Sequence, residues 1–273
     1  MTVPDIQLNS GHSIPQLGFG VFKVDPKETE RVVSEALEVG YRHLDTAHIY
    51  GNETGVGAAI EKSGIPREEL FITTKLWNSD QGTRSAHDAF DLSLEKLGLD
   101  YVNLYLIHWP SPKKNQFVES WLAMEEMAAS ERTRSIGVSN FLPHHLQPVL
   151  DASATVPAVN QIELHPYLQQ RDAVEFGVAH GIATEAWSPL GRGHLLEDET
   201  VAAIAAAHES SIAQVILRWH LQNGFIVIPK STHKDRMAEN FSVFDFELST
   251  DEVASITALE RDGRIGSHPN EVD

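Results

Sequence analysis

The feature that most constrains the fold of this chain is a regular alternation between short apolar segments and longer amphipathic segments. Eight segments rich in β-forming residues recur, at residues 17–22, 43–47, 71–77, 101–109, 135–141, 158–164, 184–190 and 225–231. Helical patterns lie between them, at residues 26–39, 53–62, 83–97, 116–129, 144–152, 169–180 and 211–222, and a final helix is expected from Thr250. This alternation implies right-handed βαβ units and therefore a parallel sheet.

Eight βα units of about 30–35 residues each fit a closed (β/α)8 barrel of ordinary size. We therefore predict an α/β protein that forms a single TIM-barrel domain over residues 1–273. The leading segment, residues 6–14, places Gly11 in a turn between apolar ends and predicts an N-terminal β-hairpin that caps the bottom of the barrel. The polar residues after Arg261 predict a short C-terminal tail.

The rival fold is an open, doubly wound sheet that binds a dinucleotide. Its fingerprint is G-x-G-x-x-G after the first strand, but Gly18 and Gly20 are followed by Val-Phe-Lys with no third glycine. A Walker A loop is missing from the sequence as well. The barrel is therefore the better prediction.

Composition excludes several classes of protein. The chain has no cysteine, so disulfides, thiolate nucleophiles, cysteine-ligated zinc and iron–sulfur clusters are excluded. It also lacks an H-E-x-x-H motif, and we expect no metal site. A net charge of −18 argues against nucleic acid and acidic membranes as partners. The N-terminus has no signal-peptide pattern and no segment reaches the ~20 apolar residues of a membrane span, so we expect a cytoplasmic protein.

Polar and aromatic residues stand at the end of every predicted strand. In a barrel of this kind, the chemistry lies at the carboxyl ends of the strands. Those ends carry, in order, Phe22, Asp45, Lys75 to Trp77, His108 and Trp109, Ser139 and Asn140, Gln161 to Glu163, Trp187 and Ser188, and Lys230 and Ser231. One polar strand end is commonly a solvated loop start, but eight consecutive ends of this kind predict a functional mouth.

Three ordered motifs are specific enough to indicate a family. They are GYRHLDTAHIYGNETGVG at residues 40–57, SIGVSNF at residues 135–141, and IPKS at residues 228–231 followed by Arg236, Glu239 and Asn240. Further matches are IHWP at residues 107–110 and VNQIE at residues 159–163. Together these motifs span nearly the whole chain and closely resemble those of the aldo-keto reductases. The short loops and termini are most similar to those of bacterial 2,5-diketo-D-gluconate reductases.

The resemblance implies a catalytic tetrad of Asp45, Tyr50, Lys75 and His108. Reduction of a carbonyl by hydride leaves an alkoxide-like oxygen that must receive a proton, and a free tyrosine, with a pKa of about 10, is a poor acid at neutral pH. A neighbouring lysine cation favours tyrosinate, so we expect Lys75 to lower the pKa of Tyr50. Asp45 can hold that ammonium by a charge-assisted hydrogen bond, and His108 can orient and polarise the carbonyl.

The resemblance also implies that the cofactor is NADPH, bound without a dinucleotide-binding domain. It places the nicotinamide carboxamide at Ser139, Asn140 and Gln161, the nicotinamide ring on Trp187, and the pyrophosphate along Ser188, Leu190 and Gly191. It places the adenosine 2′-phosphate among Lys230, Ser231, Thr232 and Arg236, and the adenine at Glu239 and Asn240. Lys230 and Arg236 also favour NADPH on physical grounds, because an acidic protein must supply positive charge locally for a phosphate.

The sequence constrains the substrate less strongly. The expected pocket residues are Phe22, His48, Ile49, Trp77 and Trp109, and aromatic walls suit either a sugar ring or a planar aldehyde. We expect a small-molecule carbonyl substrate, either a keto-sugar acid such as 2,5-diketo-D-gluconate or a small aldehyde such as methylglyoxal. Arg192 would attract a carboxylate, unless it is simply a solvated arginine.

Two other functions stay open. A class I aldolase would use Lys75 or Lys230 as a Schiff-base nucleophile on the same barrel, but the tyrosine and nucleotide motifs would then have no purpose. A non-catalytic redox sensor that binds NADPH is the second alternative, and the intact tetrad and the lack of long insertions argue against it. The leading prediction is a monomeric, NADPH-dependent carbonyl reductase.

Overall fold

A small hairpin precedes a parallel barrel in this protein. The computed structural model describes residues 3–273, and in it an antiparallel hairpin of β1 (Asp5–Gln7) and β2 (Ser13–Pro15) comes first. The barrel strands are β3 (Phe19–Gly20), β4 (His43–Asp45), β5 (Phe71–Leu76), β6 (Val102–Ile107), β7 (Thr133–Ser139), β8 (Val159–Glu163), β9 (Ala183–Trp187) and β10 (Ile226–Val227). They pair in chain order from β3 to β10. The barrel closes through a parallel bridge between Leu17 and Val227. The predicted fold is therefore confirmed.

Helices connect the strands and cover the outside of the barrel. They are α1 (Thr29–Val39), α2 (Glu53–Ser63), α3 (Thr83–Leu97), α4 (Phe117–Ala129), α5 (Pro143–Ala152), α6 (Arg171–Ala179), α7 (Glu199–Ala207), α8 (Ile212–Gln222), α9 (Lys234–Phe241) and α10 (Thr250–Thr257). The sequence did not predict α7 or α9. Within residues 3–273 no single helix is long and apolar enough to cross a bilayer, and the one pair that passes on length and composition, α7 with α8, is bent by 91°.

The hairpin closes the bottom of the barrel, as the sequence predicts. Leu8 and Ile14 are buried and pack in one apolar cluster with Phe71, Val159 and Ile226. Those three residues are the first residues of β5, β8 and β10, so the cluster lies at the amino ends of the strands. Burying side chains of this size contributes about 1.5–3 kcal/mol each. The lower interior of the barrel is therefore apolar and sealed, and access is from the opposite end.

The interior becomes polar directly above this apolar cluster, at His43, and the space for that side chain depends on a glycine. A Cβ placed on Gly18 would lie only 2.4 Å from His43 Nδ1, so this position must be glycine for the imidazole to fit inside the barrel. The His43 side chain is fully buried there. This imidazole packs on the Phe71 ring at a centroid distance of 4.9 Å, and its Nε2 faces Glu185 Oε1 of β9 at 3.5 Å.

Candidate active site

Four side chains predicted to act together meet at the carboxyl end of the barrel. Asp45 is the last residue of β4, Lys75 lies near the end of β5 and His108 follows β6 directly. Tyr50 lies in a short helical turn, His48–Tyr50, that follows β4 and ends where Gly51 adopts a φ of 68°. A left-handed backbone of this kind is accessible to glycine at little cost. The motif spacing thus returns the tyrosine to the barrel mouth.

A side-chain network holds this turn in place. Thr46 Oγ1 donates to Asn52 Oδ1 at 2.8 Å, and Asn52 Nδ2 donates to the carbonyl oxygen of Val21 at 3.0 Å. All three groups are buried. Buried hydrogen bonds of this kind fix the loop between β4 and α2, and with it the position of Tyr50.

Asp45 and Lys75 form a fully buried ion pair. Lys75 Nζ donates to Asp45 Oδ1 at 2.6 Å and to the carbonyl oxygen of Thr46 at 2.8 Å. Burial by itself lowers the pKa of Lys75, but the negative charge of Asp45 and the contact with Tyr50 raise it above its usual value. The ammonium is therefore charged at neutral pH, and it lies 5.3 Å from the centroid of the Tyr50 ring.

The expectation that Lys75 lowers the pKa of Tyr50 is only half correct. Burial raises the pKa of Tyr50 to about 12, and the Lys75 cation opposes this shift without cancelling it. The sequence predicts the direction of the lysine effect, but it does not reveal how strongly the hydroxyl is desolvated. Tyr50 therefore holds its proton throughout the neutral range, as a proton donor must before it reacts.

His108 completes the group as a neutral imidazole. Burial, and then the charge of Lys75, lower its pKa well below the usual value. Its ring packs edge-on against the Tyr50 ring at a centroid distance of 5.6 Å and against Trp77 at 5.2 Å. Within residues 3–273, His108 Nδ1 is buried without a hydrogen-bond partner. A neutral imidazole beside the tyrosine can orient a carbonyl oxygen without competing as an acid.

The residues predicted to hold the nicotinamide carboxamide are close together and already hydrogen-bonded. Asn140 Nδ2 donates to the carbonyl oxygen of His108 at 2.9 Å, and Asn140 Oδ1 accepts from Trp187 Nε1 at 2.8 Å. Ser139 Oγ donates to the carbonyl oxygen of Gln161 at 2.8 Å. These bonds fix the Trp187 ring beside the tetrad and leave Gln161 Oε1 as an acceptor for an amide group.

The loop after β9 has the backbone expected of an anion-binding turn. Ser188 and Arg192 have φ values of 49° and 51°, and Gly191 has a φ of 55°. Gly191 N donates to the carbonyl oxygen of Ser188 at 2.8 Å, and Leu190 is half-buried between them. The guanidinium of Arg192 lies 5.9 Å from the Trp187 ring centroid. A tight, strained loop of this kind suits a phosphate chain.

The residues predicted to bind the 2′-phosphate surround the start of α9. Lys230 and Arg236 are exposed, and within residues 3–273 neither has a carboxylate within 4.0 Å. Ser231 is buried, and its Oγ accepts from the backbone N of His233 at 3.0 Å. Thr232 is half-buried, and on α9 Glu239 is exposed while Asn240 is buried. Two unpaired cations at a helix start fit a dianionic phosphate.

The predicted substrate residues line the outer part of the mouth. Phe22 and Ile49 are 45% and 46% exposed, so two large apolar side chains face solvent at the mouth. The Phe22 ring packs on Tyr50 at a centroid distance of 5.0 Å. Trp77 and Trp109 are half-buried at the ends of β5 and β6. The mouth beside Tyr50 is therefore apolar and open.

His48 differs from the other predicted substrate residues in its environment. Its Nδ1 lies 3.6 Å from Glu53 Oε2, and its Nε2 lies 4.0 Å from Asp80 Oδ2. Glu53 is itself buried and accepts from Thr74 Oγ1 at 2.6 Å. His48 thus lies between two carboxylates, one at the start of α2 and one in the segment that follows β5.

Glu185 is a buried group of the site that the sequence analysis did not single out. It lies on β9, two residues before Trp187, and it is fully buried. Gln161 Nε2 donates to Glu185 Oε2 and to Asp45 Oδ2, both at 2.8 Å. The sequence does contain a signal for this position. Side chains alternate along a strand, so Glu185 must face the same side of β9 as Trp187.

The C-terminal tail, residues 258–273, lies along one rim of the mouth. Glu163, at the end of β8, accepts the backbone N–H groups of Ile265 and Gly266, both at 2.8 Å. Lys113 Nζ, in the loop after β6, donates to Asp273 Oδ2 at 2.7 Å. The tail therefore borders the site rather than projecting away from it.

Comparisons with known proteins agree with this architecture. A model of the aldo/keto reductase family matches residues 16–261. Over 268 residues the chain is 48% identical to the glyoxal reductase of Bacillus subtilis and 49% identical to the methylglyoxal reductase DkgA of Yersinia pestis. These alignments cover 98% and 97% of this chain and 96% of each relative. A crystal structure of a Gox0644 mutant in complex with NADPH superposes with a TM-score of 0.96 at 48% identity, covering 100% of both chains.

Proposed function

The chain belongs to the aldo/keto reductase family, and from this premise we propose that it reduces small 2-oxoaldehydes such as methylglyoxal, with Tyr50 as the general acid. It is an NADP(H)-dependent carbonyl reductase, as the family assignment and the NADPH complex of a close structural neighbour indicate. The observation that carries the proposal is a protonated tyrosine held between a buried lysine cation and a neutral histidine at the mouth.

The chain's own residues account for the movement of the proton. Bound NADPH supplies the hydride that the carbonyl carbon receives. The carbonyl oxygen then takes the proton of Tyr50, and the charge of Lys75 stabilises the tyrosinate that is left behind. His108 orients the carbonyl oxygen toward Tyr50 by a hydrogen bond. Asp45 keeps the Lys75 ammonium in place through its 2.6 Å hydrogen bond.

The residues at the mouth fit the cofactor. Trp187 presents a half-exposed ring for the nicotinamide, Gln161 Oε1 can accept from its carboxamide, and the turn at residues 188–193 can hold the pyrophosphate. Lys230 and Arg236 can pair with the 2′-phosphate. This is a complete donor set for a phosphorylated dinucleotide in a protein of net charge −18.

The same geometry disfavours the aldolase alternative. A Schiff-base lysine must be neutral to attack a carbonyl, whereas the pKa of Lys75 is raised and its Nζ is bound to Asp45. Lys230 is exposed on the rim, whereas a Schiff-base lysine is typically desolvated in an apolar pocket. A non-catalytic sensor would have no use for a desolvated general acid beside a buried ion pair.

The small apolar mouth supports a 2-oxoaldehyde as substrate. Phe22 and Trp77 flank Tyr50 and His108, and they offer flat surfaces to a planar dicarbonyl. Relatives that are about half identical are named glyoxal and methylglyoxal reductases. A second candidate is a keto-sugar acid such as 2,5-diketo-D-gluconate, favoured by the Arg192 cation near Trp187, which would attract its carboxylate.

A panel of carbonyl compounds tests the proposal directly. Methylglyoxal, glyoxal, 2,5-diketo-D-gluconate and an aromatic aldehyde are offered with NADPH, and oxidation of NADPH is followed. We expect methylglyoxal to have the highest kcat/KM. Tyr50→Phe should lower kcat by about 10²–10⁴-fold while NADPH still quenches tryptophan fluorescence at the wild-type concentration. Retained turnover in that variant would refute the role of Tyr50.

The phosphate site has a matched control on the same helix. Arg236→Ala should raise the KM for NADPH by about tenfold or more and leave the KM for NADH unchanged, because only NADPH carries the 2′-phosphate. Lys234→Ala removes another exposed cation of α9, but Lys234 already pairs with Glu38 at 2.6 Å and should affect neither cofactor. Equal losses with both cofactors in the Arg236 variant would refute the assignment.

We also propose that the protein works as a one-domain monomer in the cytoplasm. Its large exposed apolar side chains outside the mouth include Leu92, Leu122 and Val178, each on a different helix. Scattered residues of this kind do not form an interface. Light scattering after size exclusion should therefore give the mass of one chain, 30.2 kDa.

A further inference from the structure

The barrel interior holds two ionisable side chains that the mechanism above does not use, Glu185 and His43. Both are fully buried. Gln161 lies opposite Glu185 in the register of β8 and β9, and its Nε2 bonds to Glu185 Oε2 and to Asp45 Oδ2, both at 2.8 Å. One amide group therefore joins Glu185 to the carboxylate that holds Lys75.

The hydrogen-bonding partners of His43 locate a proton between His43 and Glu185. His43 Nδ1 lies 3.2 Å from the carbonyl oxygen of Pro15, which can only accept, so Nδ1 must carry a hydrogen. His43 Nε2 faces Glu185 Oε1 at 3.5 Å. In a neutral imidazole this nitrogen has a lone pair, which would repel an ionised carboxylate. A proton on Glu185 Oε1 removes the conflict and gives that oxygen a partner.

The electrostatics place that proton on the carboxyl group. Burial, and then the negative charge of Asp45, raise the pKa of Glu185 to about 8 against the opposing effects of Gln161 and Lys75. Burial lowers the pKa of His43 to about 4. At neutral pH the interior therefore contains a protonated Glu185 and a neutral His43.

We propose that Glu185 is a positioning residue of the reductase: when protonated it fixes the Gln161 amide against Asp45, and the loss of its proton sets the alkaline limb of the kcat–pH profile. This inference rests on the proposed role of Tyr50 as general acid.

The ionisation of Glu185 reaches Tyr50 through charge. Burial is the main cause of the raised pKa of Tyr50, and the negative charges of Asp45 and Glu185 add to it. The Glu185 charge also raises the pKa of Lys75. A weaker acid donates its proton more slowly, so kcat must fall as Glu185 ionises.

The groups around Glu185 leave few other sources for this effect. The ionisable groups that face it are His43 and Asp45 from β4 and Lys75 from β5. On the neighbouring strands, Gln161 of β8 and Ile226 of β10 do not titrate. Because His43 is already neutral at neutral pH and Lys75 stays charged, Glu185 is the group that changes charge near pH 8.

Two measurements on Glu185→Gln test the proposal. Glutamine reproduces the shape and hydrogen bonds of a protonated glutamate, so the variant should fold, which circular dichroism checks. First, the infrared difference spectrum between wild type and variant at pH 6.5 should contain the C=O band of one protonated carboxylic acid. Second, wild-type kcat with methylglyoxal should fall by about threefold between pH 7 and pH 9, while the variant stays flat, because only the wild type gains a negative charge near Tyr50 over that range.

A matched control lies in the same layer of the barrel. Thr73 Oγ1 is 3.5 Å from His43 Nε2, so Thr73→Val removes another polar neighbour of that nitrogen without removing a titrating group. The kcat–pH profile of Thr73→Val should fall at alkaline pH as the wild-type profile does. Absence of the infrared band, or the same alkaline fall in Glu185→Gln as in wild type, would overturn the proposal. Full turnover in Tyr50→Phe would instead refute the proposed function. The infrared measurement does not depend on turnover, so it would still show whether Glu185 is protonated.

Discussion

Replacing Asp45 with asparagine should destabilise the protein strongly, because it isolates a buried cation. Lys75 Nζ is fully buried and has two partners, Asp45 Oδ1 at 2.6 Å and the carbonyl oxygen of Thr46 at 2.8 Å. Asparagine keeps the volume and removes the charge. What remains beside the ammonium is a carbonyl dipole and, at neutral pH, a Glu185 that is not ionised.

The size of the effect follows from the burial of the pair. Removing one partner of a buried ion pair costs about 3–5 kcal/mol, because the other charge loses its compensation. For a chain of this length, each kcal/mol lowers the melting temperature by about 2–4 °C, so Asp45→Asn should melt roughly 10 °C below the wild type. A surface pair gives the contrast: Asp91 and Arg132 form an exposed ion pair, and Asp91→Asn should cost less than about 1 kcal/mol.

The loss of stability in Asp45→Asn should depend on pH in a defined direction. In the wild type the pKa of Lys75 is raised, so the stability that its charge contributes is present below the ordinary lysine pKa and is lost only as pH rises through the raised value. In Asp45→Asn the pKa of Lys75 falls below the unfolded value. The penalty is then full at low pH, and it shrinks by about 1.4 kcal/mol per pH unit once Lys75 can lose its proton.

Urea denaturation followed by circular dichroism at pH 6, 8 and 9.5 measures this dependence. The double variant Asp45→Asn/Lys75→Met should recover most of the lost stability, because methionine removes the uncompensated charge and nearly fills the same space. A penalty below about 1 kcal/mol, or one that does not change with pH, would refute the account of a charged lysine that depends on Asp45.

Three further predictions concern groups outside the tetrad. Gly18→Ala should cost about 1–3 kcal/mol, since its Cβ would lie 2.4 Å from His43 Nδ1; an unchanged urea midpoint would contradict this. Glu185→Gln should melt above the wild type at pH 9 but not at pH 5, because a pKa raised from 4.5 to about 8 makes the wild type lose stability as pH rises through that range; equal shifts at both pH values would count against it. Glu163→Gln should speed hydrogen exchange at residues 265–266, because an amide nitrogen cannot accept either of their N–H groups, and unchanged exchange would show that the tail is held elsewhere.

The sequence predicts the barrel well because each strand carries its own apolar pattern. All eight strands lie within the predicted segments or differ at an end by two residues or fewer. The predictions are poorest where that pattern is weak. Helix α7 is largely alanine and has no clear apolar stripe, and α9 is only eight residues long and strongly polar. Strand β10 is shorter than predicted, since Pro229 follows closely and has no N–H to continue the ladder.

The site could be predicted only as far as local motifs extend. The motifs locate Asp45, Tyr50 and Lys75 because their spacing follows the strand ends. They do not report the pKa of Tyr50, which depends on how deeply the folded chain desolvates its hydroxyl. They also do not reveal Glu185, which bonds to Gln161, 24 residues away in the chain, and through that amide is joined to Asp45, 140 residues away. Contacts across a barrel depend on strand stagger, which one strand's sequence does not contain.

The charges inside the barrel add up to a neutral site in a strongly acidic protein. At neutral pH the Lys75 cation balances the Asp45 anion, and Glu185, Tyr50 and His108 carry no charge. A neutral interior neither repels an incoming carbonyl nor adds to the barrier for moving one proton to its oxygen. The net negative charge of the chain therefore acts mainly at the surface, where it would repel a phosphorylated cofactor. The cations needed to overcome that repulsion must therefore lie on the rim, and their separation from the neutral interior lets the protein tune cofactor choice without changing the proton donor.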